Sequence, residues 1–294
     1  YSQELRWSHS GRQVNFVLGA FAFHQRIDTQ GTEAQGADSA RWNLTGSNAS
    51  HSEWLNGLTS RNTQYLKATS AALFGQVDFK LTDRYADVAH DPELQIEPPL
   101  VMEGCVYPYR HILPAADAPF TRERLGVGAH ATLIGAFCTP LKLSQRCLML
   151  WRDVLTHLPG ALLAFSPIRA SLQPVFAHIC AVVGIDARRI VFVPQGRDDA
   201  ENQARYRLID LVLDPMPYGG VNGTLEALDM GVPVVTLVGR RHAERTSYSI
   251  LTNLGVTQTI AETGKEYVAI AVRLSTEPAF MRSVRAAIRK ALPD

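Results

Sequence analysis

The stretch D-P-M-P-Y-G-G-V-N-G-T-L-E-A-L-D-M-G, from Asp214 to Gly231, sets Gly219, Gly220 and Gly223 between an apolar run and a short helical pattern. Glycine lets a ligand approach the backbone, and the unpaired N–H groups and positive dipole end of a starting helix attract anions, so the loop is a candidate phosphate cradle. Plain turn glycines read the same way. Lys142, in C-T-P-L-K-L-S, follows another apolar run, where a long cation either reaches phosphate oxygens or stands solvated ahead of a helix. Glu226 lies four residues after Asn222, one helical turn, so both project to one side of the loop; a carboxylate there accepts from ribose hydroxyls or offsets the helix dipole. His242, in G-R-R-H-A-E-R, either donates to a ligand in the same crevice or lies on the surface. The nine histidines include no H-x-x-x-H or H-E-x-x-H pair, so no metal site is expected from them. The absence of G-x-S-x-G, Walker A and G-x-G-x-x-G argues against serine hydrolases, ATPases and the usual NAD enzymes.

Those residues need a scaffold, and from Arg122 onward short apolar runs alternate with amphipathic stretches of helical length, the signature of βαβ units. Strands are expected over 131–137, 161–166, 189–194, 210–214 and 233–238, each nearly continuous in apolar residues as a parallel strand covered on both faces requires. A doubly wound sheet follows, and in such sheets ligands bind outside the carboxyl ends of the strands, after Phe137, Phe165, Pro194, Asp214 and Val238. Ser144 is placed to cap a helix whose Cys147, Leu148, Trp151, Val154, Leu155 and Leu158 recur at helical spacing, with Pro159-Gly160 ending it. Upstream, 14–23 reads as a buried strand and 76–83 alternates as a strand should, while 28–62, dense in Ser, Thr, Asn, Gln and Gly, reads as a polar loop or insertion. Its Asn43 and Asn48 triplets accept glycan only in a secreted protein, and chance composition explains them better. The stretch Pro92–Pro119 holds six of the 16 prolines and is expected to run extended as a connector.

Composition closes off other classes. With 294 residues, 46% apolar and 19% charged, the chain has room for about two domains and is not disordered as a whole. A balance of 29 basic against 28 acidic residues gives no field for nucleic acid or anionic lipid. The longest strongly apolar stretch, residues 231–239, falls well short of a membrane span. Cys105, Cys138, Cys147 and Cys180 match neither zinc pairs nor a disulfide framework and read as core thiols. A cytoplasmic protein is expected, and a start at Tyr1 without a leader reads as a piece of a longer chain.

Ordered pieces then carry a family likeness: G-A-F-C-T-P-L-K-L, L-P-G-A-L-L-A-F-S, R-I-V-F-V-P, Y-R-L-I-D-L-V-L-D-P-M-P-Y, L-D-M-G-V-P-V-V-T-L-V-G and E-R-T-S-Y-S-I-L-T-N-L-G-V. In that order they resemble the nucleotide-sugar-binding domain of glycosyltransferase family 41, which includes the O-GlcNAc transferases and SPINDLY-like enzymes. T-S-A-A-L-F-G-Q-V-D-F-K-L-T-D at 69–83 and G-C-V-Y-P-Y-R at 104–110 resemble the end of the preceding domain, so the likeness covers about Thr69 to Leu274. The resemblance implies an α/β fold of GT-B type, two Rossmann-like domains facing a cleft. It implies inverting transfer of a sugar, GlcNAc by family weight, from a UDP-sugar to a protein or peptide acceptor. No metal and no permanently bound cofactor are implied. By motif, Lys142 holds the diphosphate and stabilises departing UDP, and Thr139 adds a contact. Gly220, Val221, Asn222, Gly223 and Thr224 surround the phosphates, and Glu226 holds the ribose. Gln195 and Gly196 flank the uracil, and Asn202 and Arg205 close the pocket. The N-G-x-x-acid arrangement is more like the bacterial adhesin N-glucosyltransferases than the animal enzymes, whose loop reads H-T-T.

The sequence also departs from the family. Y-L-K-A-T-S-A-A-L-F at 65–74 lacks the family's glycine-and-proline turn, Tyr1 to Arg61 has no counterpart of the histidine-bearing loops, and no helical repeats are present. The expected organisation is a partial, truncated acceptor-side domain over 1–120 with its insertion at 28–62, a complete Rossmann-like domain over 121–275 and a terminal helix over 276–294. Two alternatives stay open: a GT-B transferase for another nucleotide sugar, such as GDP-fucose or UDP-glucose, and a non-catalytic nucleotide-sugar-binding fragment.

Overall fold

The computed structural model describes residues 1–10, 14–79, 81–87 and 100–292, in two units, Tyr1–Phe79 and Lys80–Asp294. The prolines at 92, 98 and 99 of the expected connector lie outside the described residues.

In the first unit β1 (Ser2–Ser10), β2 (Val14–Ala34) and β3 (Thr59–Phe79) form an antiparallel sheet in the order β1-β2-β3. The β2–β3 register runs unbroken from Val14↔Phe79 to Ala34↔Thr59. The polar loop expected over 28–62 is therefore shorter: its first seven residues and its last four are strand, and only α1 (Ser39–Asn43) and two single helical turns close the hairpin. Thr- and Gln-rich backbone saturates its N–H and C=O groups in a ladder as well as apolar backbone does, and an exposed strand needs no apolar face. The run at 14–23 is a strand, but its residues are half-buried or exposed rather than buried. Among the described residues of this unit only Ala40 is buried, so the sheet is held by its ladder more than by a core.

The second unit carries the core. After β4 (Leu81–Asp83) and β5 (Leu100–Met102), which pair in parallel, six strands form one sheet: β6 (Leu133–Ala136), β7 (Leu162–Phe165), β8 (Ile190–Phe192), β9 (Leu211–Leu213), β10 (Val234–Leu237) and β11 (Ile260–Ala261). All five expected strands form, each trimmed at its ends, and β11 is added. The spatial order β8-β7-β6-β9-β10-β11, all parallel, is the doubly wound Rossmann order. Helices α2 (Gln145–His157), α3 (Gln173–Val182), α4 (Asp199–Ala204), α5 (Asn222–Asp229), α6 (Thr246–Asn253), α7 (Gly264–Thr276) and α8 (Pro278–Ala291) supply the crossovers and the terminal turns. The Ser144 cap forms, its Oγ accepting from Cys147 N at 3.1 Å, and the six expected apolar positions of α2 are buried. Trp151 is fully buried, donating to the Tyr267 hydroxyl at 3.0 Å. Cys138, Cys147 and Cys180 are buried free thiols; burial pushes Cys138 up to about 12 and Cys180 up to about 11, so both stay protonated at neutral pH. Among the described residues no helix is long and apolar enough to cross a membrane.

Candidate functional site

The chain leaves β6 toward β7 and β8 on one side and leaves β9 toward β10 and β11 on the other, so the loops after these two adjacent strands diverge and open a crevice between them. The two loops are stitched together at its floor. Leu143 and Pro217 form an isolated antiparallel bridge, and Ser144 Oγ donates to Met216 O at 2.8 Å. Lys142 Nζ donates to Gly219 O at 3.0 Å and lies 4.7 Å from the centre of the Tyr218 ring. Thr139 stands exposed on the same loop. The lysine and the glycine turn, 77 positions apart in sequence, thus meet at the topological switch point.

The turn is held from below by Asp214, whose carboxylate is buried. Its Oδ1 accepts from Gly220 N at 2.7 Å and its Oδ2 from Thr236 Oγ1 at 2.7 Å. Burial raises Asp214 to about 6, against the pull of the Thr236, Gly220 and Ser247 hydrogen bonds and the Lys142 charge. Here glycine is required by space: a Cβ on Gly220 would sit 2.5 Å from Thr224 Oγ1, and one on Gly219 would sit 2.7 Å from Thr246 Oγ1. Helix α5 starts directly after the turn, and its bond from Leu225 N to Val221 O at 3.0 Å leaves the N–H groups of Asn222, Gly223 and Thr224 ahead of it, outside the helical ladder. Those three donors and the Lys142 ammonium are the groups of this crevice with the chemistry to hold an anion. The Thr224 hydroxyl is not among the donors. It lies 2.7 Å from Ser247 Oγ, which in turn donates to Gly220 O at 3.0 Å.

Asn222 is exposed, whereas Glu226 is half-buried and its Oε2 accepts from the Tyr206 hydroxyl at 3.0 Å. Burial raises the Glu226 carboxyl, and the Tyr206 hydrogen bond and the Arg205 charge work against that shift. Arg205 is buried; its Nη1 donates to Ser166 Oγ, its Nε donates to Asn202 O at 3.2 Å, and its guanidinium lies 5.2 Å from the Phe137 ring centre. Asn202 Oδ1 accepts from Gly196 N at 2.9 Å, folding the loop after β8 over the start of α4, while Gln195 beside it is exposed.

The structure therefore brings Lys142, Gly220, Val221, Asn222, Gly223 and Thr224 to one crevice, with Glu226 and Arg205 packed behind it. Gln195, Gly196 and Asn202 follow β8, two strands along the sheet from β6. Sequence reasoning missed Asp214, Ser247, Tyr206 and Ser166. Asp214 was visible as a strand-end carboxylate ahead of D-P-M-P, but its partners, Thr236 and the Gly220 amide, come from elsewhere in the chain. Asp229 was missed too: nearly buried, it accepts from Tyr109 Oη at 3.0 Å and Gln203 Nε2 at 3.0 Å, and its other oxygen lies 2.6 Å from His111 Nδ1. His242 is held by protein groups, with Nδ1 3.1 Å from Asp87 Oδ2 and Nε2 3.1 Å from Tyr107 Oη.

The SPINDLY protein of Arabidopsis thaliana, named a probable UDP-N-acetylglucosamine–peptide N-acetylglucosaminyltransferase, is 27% identical over 216 residues, 72% of this chain and 23% of that protein. The UDP-N-acetylglucosamine–peptide N-acetylglucosaminyltransferase of Caenorhabditis elegans is 31% identical over 147 residues, 50% of this chain and 13% of that protein. The chain thus spans less than a quarter of the length of the curated relatives it matches. Among solved structures, an O-GlcNAc transferase mutant from Thermobaculum terrenum superposes with a TM-score of 0.59 at 25% identity, over 72% of this chain and 40% of that one. The α/β architecture is accordingly of GT-B type, and the six-stranded unit is Rossmann-like. The profile of Glycosyl transferase family 41 matches residues 114–293, which takes in the whole six-stranded sheet, the lysine loop and the glycine turn, and the chain belongs to that family.

Proposed function

We propose that this chain supplies the donor-binding half of an inverting glycosyltransferase that moves a sugar, GlcNAc in the first instance, from a UDP-sugar to a protein or peptide side chain. In that reaction the acceptor atom attacks the anomeric carbon and loses its proton to water, the bond from that carbon to the diphosphate breaks, and the electron pair stays on the departing UDP. The observation that carries the reading is the Lys142 ammonium at the switch point, 3.0 Å from Gly219 O in the turn that opens α5. A fixed cation and aligned donors where leaving-group charge develops stabilise the transition state more than the ground state. Thr139 lies on the same loop to add a phosphate contact, Glu226 serves the ribose, and Gln195 and Gly196 serve the base. Arg205 and Asn202 shape that end of the pocket. The names of the relatives support the UDP-GlcNAc donor and the peptide acceptor. No resident metal or cofactor enters the reading, because Lys142 and the α5 amides supply the positive charge.

The test is a calorimetric titration of the 294-residue chain with UDP, GDP and NAD beside the Lys142→Ala variant. Micromolar binding of UDP alone, weakened about tenfold or more by the substitution, is expected for loss of a charge-assisted contact. Unchanged UDP affinity in the variant would move the phosphate site elsewhere, and preference for GDP would change the donor.

A further inference from the structure

We infer that His242, clamped between Asp87 and Tyr107, is a positioning residue that sets Lys142 for the donor; the inference rests on the donor reading above. Alternate residues of the short segment 83–87 reach across to the loop and helix start at 242–249. Ser249 Oγ donates to Asp83 Oδ2 at 2.6 Å, and Arg245 Nε donates to Tyr85 O at 2.9 Å. Asp87 Oδ2 then meets His242 Nδ1 at 3.1 Å. Asp83, fully buried, also accepts from the amides of Tyr85, Ala86 and Val106, so the segment bearing Asp87 and the one leading to Tyr107 share one anchor. A carboxylate only accepts, so Nδ1 carries a proton toward Asp87, and Nε2 faces the Tyr107 hydroxyl at 3.1 Å. Both ring nitrogens are then occupied and the imidazole has one orientation.

That orientation is passed on through a single peptide. Ala243 O, next in the chain after His242, accepts from Gly219 N at 2.8 Å, and Gly219 O accepts from Lys142 Nζ at 3.0 Å. Gly219 is therefore held by its N–H from the histidine loop and by its C=O from the lysine, and the packing around it admits no side chain. A shift of the backbone at 242–243 moves the lysine's perch. The turn itself has other ties: Glu244 Oε2 accepts from the Arg240 and Arg241 amides at 3.0 and 3.1 Å, and Arg245 Nη1 donates to Gly239 O at 3.0 Å. Removing the imidazole alone leaves the turn closed but its register unset.

The experiment is a double-substitution cycle on UDP affinity with the full chain, His242→Ala and Lys142→Ala singly and together. The expected result is a loss of about tenfold for His242→Ala in the unaltered background and of less than about twofold once Lys142 is gone, since residues acting through one another do not add. His242→Asn, whose amide keeps the Asp87 contact, is expected to recover most of the loss. Equal losses in both backgrounds, or none in either, overturn the inference while the donor reading stands; no UDP binding by the unaltered chain overturns the donor reading and the inference with it. A second readout needs no ligand: hydrogen exchange in the peptide over 214–224 rises in His242→Ala while exchange in α7 is unchanged. Unchanged exchange at 214–224 also overturns the inference.

Discussion

The two units invert the usual association of long strands with a firm fold. In Tyr1–Phe79 two strands run for 21 residues each, yet the only buried residue described there is Ala40. In Lys80–Asp294 the six strands of the sheet run for only two to four residues, yet every residue of β6 and β9 and the last three of β7 and first three of β10 are buried. Ladder hydrogen bonds replace bonds to water and contribute about 0.5–1.5 kcal/mol each at most, whereas burying a Leu, Ile or Phe contributes about 1.5–3 kcal/mol. The difference teaches that the stability supporting the site comes from layers, not from strand length. Helices cover the parallel sheet, and only a covered sheet gives its carboxyl-edge loops a rigid base.

The comparison is broken most directly at Trp151. Trp151→Ala removes a fully buried ring packed 5.9 Å from Phe165 and the indole donor to the Tyr267 hydroxyl, so a loss of about 3–5 kcal/mol is expected. The helices of eight residues or more all lie in the second unit, so far-UV circular dichroism during denaturant unfolding reads the loss there. The tryptophans at 7, 42 and 54 report the first unit, and their fluorescence transition is expected to stay in place.

Asp214 sharpens the contrast through pH. Its folded value of about 6 lies above its ordinary 3.8, so between these values the folded chain binds more protons than the unfolded one. Its contribution to stability is therefore greatest below the ordinary value and falls as pH rises toward 6, by roughly 3 kcal/mol in total. Asp214→Asn removes this dependence, so the stability of the variant relative to the unaltered chain should improve from pH 4 to pH 6, measured by denaturant midpoints at each pH. A difference that stays flat or runs the other way would mean that Asp214 is ionised in the fold throughout. The smallest effect is expected in the first unit, where Leu73 is 88% exposed: Leu73→Ser should change stability by less than about 0.5 kcal/mol in the same assay. A loss of more than about 1 kcal/mol would show that this face is covered and would dissolve the comparison.

Legibility followed burial. The five central strands and the α2 face were readable because continuous apolar runs and helical spacing are local signatures of a covered sheet, and the Ser144 cap is a contact across three residues. β11, two residues long, gave no such signature, and neither did the strand content of 28–62, where exposed backbone pairs without an apolar pattern. At the site, Lys142 and the glycine turn were legible as chemical types, and their order along the chain placed them after the first and fourth expected strands. The Asn222–Glu226 spacing gives the side a residue faces but not that the Tyr206 hydroxyl, 20 positions away, holds one of the Glu226 oxygens.

By itself the sequence determined the local units: which runs extend, where helices start and stop, and which loops carry glycine, cation and carboxylate. Each of these depends on contacts within a few residues, where the chain has few alternatives. Only the tertiary structure decided that β6 lies beside β9, and hence that Lys142 meets Gly219, that Asp214 is buried beneath the turn, and that Asp87 and Tyr107 close on His242. Those contacts span 6 to 155 positions, and nearly all are set by strand order and sheet burial, energies summed over the whole core and not carried by any one segment.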